Sequence, residues 1–161
     1  MKVNCAIIQA NYSVDVDENV QKMVDMTLEA ARNGAKIIGL PELATSEYFC
    51  IGMHEEYLEY AEPIPGPSTE KMCKAAKEAG AYVLFPMYEK VKDGELYNTA
   101  IFIDPNGEIV GKYRKLHIPL VKARDLHGNV VEGNEKFYFR PGNLGYPVWQ
   151  TSFGVGVGTT I

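Results

Sequence analysis

Lys36-Ile37-Ile38-Gly39-Leu40-Pro41-Glu42-Leu43 is a short apolar run cut off by a proline, with a carboxylate just past the cut. Its apolar residues are continuous rather than alternating, the pattern of a strand covered on both faces. Pro41 has no N–H to give to a ladder, so the strand stops and the chain turns. Glu42 therefore stands at the carboxyl end of a strand, where open α/β sheets gather their ligand sites. Taken alone, a glutamate there is more often a loop carboxylate in solvent.

Outward from this run, the same alternation of strand and helix continues. Upstream, Asp15 to Asn33 carries Val20, Met23, Val24, Thr27, Leu28 and Ala31 at helical spacing, with Asp17 as N-cap and Gly34 as the C′ residue. Before it, Val3 to Gln9 reads as a strand. Downstream, Tyr48 to Tyr60 is mixed, with a helical turn or two, and Pro63-Ile64-Pro65-Gly66-Pro67 is a stiff connection. Ser68 caps a second helix to Ala79, ended by Gly80. Ala81 to Tyr88 is a strand. Leu96 to Ile103 and Glu108 to Lys115 flank the turn Asp104-Pro105-Asn106-Gly107 as a hairpin. Gly128 to Asn134 reads as a polar loop, Glu135 to Gly142 as a strand followed by a loop, and Trp149 to Ile161 as one or two short strands. The order β-α-β-α-β-β-β predicts an α/β layer structure. No repeat or linker divides the chain, so one domain is expected.

Composition excludes several classes. The 161 residues are 46% hydrophobic and 23% charged, ordinary for a globular domain and unlike a disordered chain. Sixteen Lys and Arg against 21 Asp and Glu leave −5, with no basic face to neutralise phosphates, so nucleic acid is not an expected partner. No apolar run reaches the roughly 18 residues of a membrane span, and the strand-like start after Met1-Lys2-Val3-Asn4 shows no secretory h-region, so no leader is expected. Three cysteines, Cys5, Cys50 and Cys73, suit neither a disulfide framework nor a zinc knuckle, and fit a reducing cytoplasm. His54, His117 and His127 do not fall at metal-ligand spacings.

Three further segments carry chemistry-bearing residues. Tyr113-Arg114-Lys115-Leu116-His117-Ile118-Pro119 puts cationic and titratable groups at a strand end. A lysine there is either solvated or a fixed positive charge for a developing oxyanion. Glu135-Lys136-Phe137-Tyr138-Phe139-Arg140-Pro141-Gly142 joins one carboxylate to three aromatics. Gly154-Val155-Gly156-Val157-Gly158 imitates a phosphate loop, but no helix follows it, and it reads as a glycine-rich strand.

Taken together, Pro41-Glu42-Leu43, the Tyr113 to Pro119 segment and the Glu135 to Gly142 segment resemble the nitrilase superfamily of carbon–nitrogen hydrolases, over essentially the whole chain. The last two segments most resemble its N-carbamoylputrescine amidase branch. The resemblance implies an α-β-β-α sandwich, of which residues 1–161 are the N-terminal part of a single domain, incomplete at the C-terminus. It implies a Glu-Lys-Cys triad in which Glu42 is the general base and Lys115 the lysine, with Glu135 as a second glutamate and His117 as a substrate contact. The fifteen-residue stretch Leu120 to Asn134 looks longer than usual through its insertion Lys122-Ala123-Arg124-Asp125-Leu126-His127, which leaves Glu132 open as the alternative to Glu135. The nucleophilic cysteine of the family falls at or just past Ile161, and Cys5, Cys50 and Cys73 do not match it. The expected activity is hydrolysis of an N-carbamoyl amine or related small amide, in the cytoplasm, without metal or cofactor, by a homo-oligomer when full length. The 161 residues alone are expected to be inert. The alternative is a natural truncated form that binds ligand or pairs with other subunits.

Overall fold

The computed structural model describes residues 2–91, 94–124 and 126–161; Met1 and, in the expected insertion, Asp125 lie outside them. Its frame is a five-stranded sheet in the order β1 (Cys5–Ile7), β2 (Ile37–Gly39), β3 (Tyr82–Lys90), β4 (Leu96–Ile103), β5 (Ile109–Arg114). The first three strands are parallel, and β4 and β5 are antiparallel to their neighbours. Two hairpins stand apart from it: β6 (Val121–Arg124) with β7 (Val130–Gly133), and β8 (Val148–Gln150) with β9 (Gly156–Gly158).

Helices α1 (Val16–Arg32) and α2 (Pro67–Ala79) pack on one face of the sheet. Val83, Phe85 and Met87 alternate along β3 towards that face, meeting Met23 of α1 and Met72, Ala75 and Ala76 of α2. Two caps differ from expectation. Asp15, not Asp17, caps α1, accepting from the Glu18 N–H at 3.0 Å, because Asp17 already lies in the first turn. Gly66, not Ser68, is the N-cap of α2. Pro67 is preset for the first helical position, and Thr69 Oγ1 accepts from the Gly66 N–H at 2.7 Å. Ser68 instead binds the Glu62 carboxylate through its N–H and its hydroxyl.

The polar loop expected at Gly128 to Asn134 is largely strand β7, antiparallel to β6. The strand expected from Glu135 is a short helix, α3 (Glu135–Tyr138). One turn puts Glu135 and Tyr138 on the same buried side and leaves Lys136 and Phe137 outside, which an extended chain would not do.

The face of the sheet away from the helices is only partly covered. Trp149 of β8 stacks on Phe102, which stacks in turn on Tyr82, both at 5.2 Å between centroids. The Tyr82 hydroxyl also accepts from the Ser152 N–H. Beyond that patch the face is bare: Ile7 is 83% exposed and Cys5 is exposed. The expected two-sheet sandwich is thus present as one sheet with its helix layer, and the second layer is incomplete.

A buried charge network ties β3, β4 and β5 together beside Lys115. Glu89 is 1% exposed. Arg114 binds it through two nitrogens, at 2.7 and 2.8 Å, and Thr99 and Lys112 also donate to it. Arg114 lies 3.9 Å over the Tyr97 ring. Burial pushes the Glu89 pKa up, but these hydrogen bonds outweigh it and hold the carboxyl at about 2.

Two predictions follow from this packing. The folded carboxyl of Glu89 titrates below its unfolded value of 4.5, so its contribution to stability is full above that value and is lost as pH falls through the folded value near 2. Denaturant unfolding of the protein extended to its relatives' full length, at pH 7, 5 and 3, should show this loss. Glu89→Gln should remove it and cost about 3–5 kcal/mol at pH 7, because Arg114 stays buried and uncompensated. Equal pH slopes for the two proteins would contradict the network's role. The bare apolar face and unpaired edges should also make residues 1–161 self-associate or lose fixed packing. Gel filtration with near-UV circular dichroism checks this, and a dispersed, cooperatively unfolding monomer would contradict it.

Candidate active site

Three segments converge at the carboxyl end of β2. The chain leaving β2 runs on beside β3, with the Leu40 N–H on the Leu84 carbonyl and the Ala44 N–H on the Pro86 carbonyl, at 3.0 and 2.9 Å. Glu42 sits between these two anchors. Leu43, directly after it, has φ of 51°, a left-handed conformation that a leucine adopts at a cost of order 1–3 kcal/mol. Burying the Leu43 side chain among Phe49, Tyr88 and Phe139 holds it there. Farther along the same loop, the buried Asn19 of α1 donates to the Thr45 carbonyl.

Lys115 follows β5 and is held by backbone on both sides. Its N–H donates to the Asn98 carbonyl, and its carbonyl accepts from the Gly142 N–H, both at 2.8 Å. Gly142 is required here: a Cβ at that position would run into the Arg114 carbonyl. Glu135 opens α3, placed by the Asn134 N–H on the Cys50 carbonyl and by the anchoring of Tyr138. The Tyr138 hydroxyl donates to the Gly52 carbonyl and accepts from the His54 N–H, while its carbonyl accepts from Tyr88. Phe49 packs on the rings of both Tyr88 and Tyr138, at 5.3 and 4.9 Å.

The Lys115 ammonium lies between the two carboxylates. Its Nζ is 2.8 Å from Oε1 of Glu42, 73 positions away, and 2.8 and 3.1 Å from Oε2 and Oε1 of Glu135. The side chains of Lys115 and Glu135 are 9% and 4% exposed, and that of Glu42 is 37% exposed, so the cluster opens to solvent on the Glu42 side. Burial lowers the Lys115 pKa, but the hydrogen bonds to Glu135 and Glu42 outweigh it and hold the group above the ordinary lysine value, hence charged.

Two members of this cluster were not legible beforehand. Tyr48 donates to Glu135 Oε1 at 3.0 Å, and the fully buried Asn98 donates to Glu42 Oε1 at 2.7 Å. A lone amide inside the apolar strand Leu96 to Ile103 was the only sequence signal for Asn98, and Tyr48 gave none. Of the two glutamates left open, Glu135 is the one on Lys115. Glu132 pairs with Lys122 across the β6–β7 hairpin, at 2.5 Å. His117 is exposed and is not brought into the cluster; with Leu58, Leu96, Phe139 and Arg140 it lines a neighbouring pocket of about 740 Å³.

The three cysteines lie in different surroundings. Cys5 lies exposed in edge strand β1, and Cys73 packs near the β4–β5 turn, at the opposite end of the sheet. Cys50 is buried near the cluster. Burial and then the charges of Glu135 and Glu42 push its thiol pKa well up, and Lys115 offsets only part of this, the reverse of what a thiolate needs. Among the described residues, no group of three or more His, Cys, Asp and Glu side chains is placed to hold a metal ion.

Comparisons with known proteins bear on the family of the chain and on its fold. The carbon-nitrogen hydrolase family model matches residues 4–161. A citrullinase of Francisella tularensis is 34% identical over 157 residues, 97% of this chain and 52% of its own length. An N-carbamoylputrescine amidase of Solanum lycopersicum is 36% identical over 157 residues, 96% of this chain and 49% of its own. The crystal structure of a carbon-nitrogen hydrolase from Helicobacter pylori superposes with a TM-score of 0.78 at 24% identity, over 93% of this chain and 48% of that one, which shows the shared fold. The chain spans about half the length of the curated relatives it matches. With a family model running from residue 4 to residue 161, the chain belongs to the carbon-nitrogen hydrolases.

Proposed function

We propose that these residues are the N-terminal part of a single amidase domain that hydrolyses the C–N bond of an N-carbamoyl amine or related small linear amide. The observation that carries this reading is the Lys115 ammonium held 2.8 Å from both Glu42 and Glu135. The nucleophilic thiol is supplied from outside the 161 residues, since none of Cys5, Cys50 and Cys73 is suited to the role.

In this mechanism Glu42, the more exposed carboxylate, takes the thiol proton, and the sulfur attacks the carbonyl carbon. The Lys115 ammonium stabilises the oxyanion of the tetrahedral intermediate. Glu42 returns the proton to the leaving amine as the C–N bond breaks. It then takes a proton from the water that cleaves the thioester or thiocarbamate, and gives it back to the sulfur. Glu135, fixed by Tyr48 and by its own burial, orients Lys115 and keeps it charged. No metal or cofactor enters these steps. One ammonium between two carboxylates leaves the cluster net negative, which favours a substrate with a cationic tail, such as the N-carbamoyl diamine of polyamine metabolism. His117 would meet such a substrate only from its neighbouring pocket. A reducing compartment such as the cytoplasm fits three unpaired cysteines, and the reading includes a homo-oligomer at full length.

The test is turnover of N-carbamoylputrescine and a panel of short amides. A protein extended to its relatives' full length should be active, and residues 1–161 alone should not. Glu42→Gln and Lys115→Met in the longer protein should each lower kcat by about 10²–10⁴-fold with the fold intact. Turnover by the 161 residues alone, whether or not thiol blocking abolishes it, or full activity of either variant, would refute the reading.

A further inference from the structure

Glu42 has two carboxylate oxygens, and the surrounding residues treat them differently. Oε1 accepts from both Lys115 Nζ, at 2.8 Å, and Asn98 Nδ2, at 2.7 Å. Among the described residues no hydrogen bond reaches Oε2, and the side chain is more than a third exposed on the open side of the cluster. A carboxylate only accepts, so the amide nitrogen of Asn98 is the end that faces it.

Asn98 is itself fixed from several directions. It is fully buried in β4 opposite Tyr88, and its carbonyl accepts from the Lys115 N–H. It thus touches the glutamate through its side chain and the lysine through its backbone. Its neighbour Thr99 donates to the buried carboxylate of Glu89, so successive residues of β4 hold two different carboxylates. The Asn98 Oδ1 is buried without a hydrogen-bond partner among the described residues. An orphaned acceptor works against folding, so strand stability alone does not account for an asparagine here. The donor aimed at Glu42 does.

We infer that Asn98 is a positioning residue for the proposed reaction: with Lys115 it occupies Oε1 of Glu42, and thereby fixes Oε2 as the oxygen that takes the proton. This rests on Glu42 acting as the base. Asn98 touches no reacting atom; it acts through Glu42. Without its donor the carboxylate turns about its terminal bond, and the lone pair that should meet the thiol is no longer held in place.

The test is a double-mutant cycle in the full-length protein. Asn98→Ala should lower kcat about 10–100-fold and leave KM within about threefold. The isosteric Asn98→Asp, which replaces the donor by an acceptor, should lower it further. In a Glu42→Gln background, Asn98→Ala should change the residual kcat by less than about twofold, because the group it positions is already gone. An equal loss in both backgrounds, or a loss confined to KM, overturns the inference. So does a wild-type kcat in Asn98→Ala. If the wild-type protein turns over no amide, the proposed function falls separately. The inference is then read from a crystal structure of Asn98→Ala, where an unmoved Glu42 carboxylate overturns it and a rotated one supports it.

Discussion

A single ammonium placed in a nearly dry site between two carboxylates sets the terms for the rest of this structure. Lys115 is 9% exposed at its side chain, and a cation there is tolerable only while its partners stay within hydrogen-bond reach. Those partners come from segments 73 and 20 positions away. Each of the three must therefore be fixed by its own scaffold. Backbone hydrogen bonds to β3 and the strained, buried Leu43 fix Glu42. Backbone bonds to Asn98 and Gly142 fix Lys115. The aromatic group around Phe49, Tyr88 and Tyr138 fixes Glu135.

The two buried ionic clusters divide the labour. Glu89 with Arg114, Lys112 and Thr99 is closed at its carboxylate: each of its two buried oxygens accepts two hydrogen bonds, and the cluster ties β3, β4 and β5 together. The Glu42–Lys115–Glu135 cluster, one residue further along the chain at Arg114 and Lys115, is open on one side. Closed networks rigidify, and open ones leave a group free to react. The orphaned Asn98 Oδ1 and the left-handed Leu43 are local costs that belong to the open cluster.

Much of this was legible in the sequence, for reasons that can be named. Continuous apolar strands such as Ile37 to Leu40 and the helical stripe of α1 signal burial directly, and Pro41 marks where the strand must end. What failed to read through lacked such a signal. All four residues of β6 are exposed, so no hydrophobic period marks them. The aromatic-rich Phe137-Tyr138-Phe139 favours strand by local preference, but the distant hydrogen bonds of Tyr138 to Gly52 and His54 impose a helical turn. Asn98 and Tyr48 are defined by partners 56 and 87 positions away, which no local pattern reports.

The central claim is that the Glu42–Lys115–Glu135 cluster serves a thiol from outside these 161 residues. Intact-mass and peptide mass spectrometry of the full-length protein, quenched in acid during turnover of an N-carbamoyl amine, tests it most directly. The account predicts a carbamoyl adduct on a cysteine other than Cys5, Cys50 and Cys73, lost from the Lys115→Met variant. An adduct on one of those three cysteines, or turnover with no adduct on any cysteine, would contradict it.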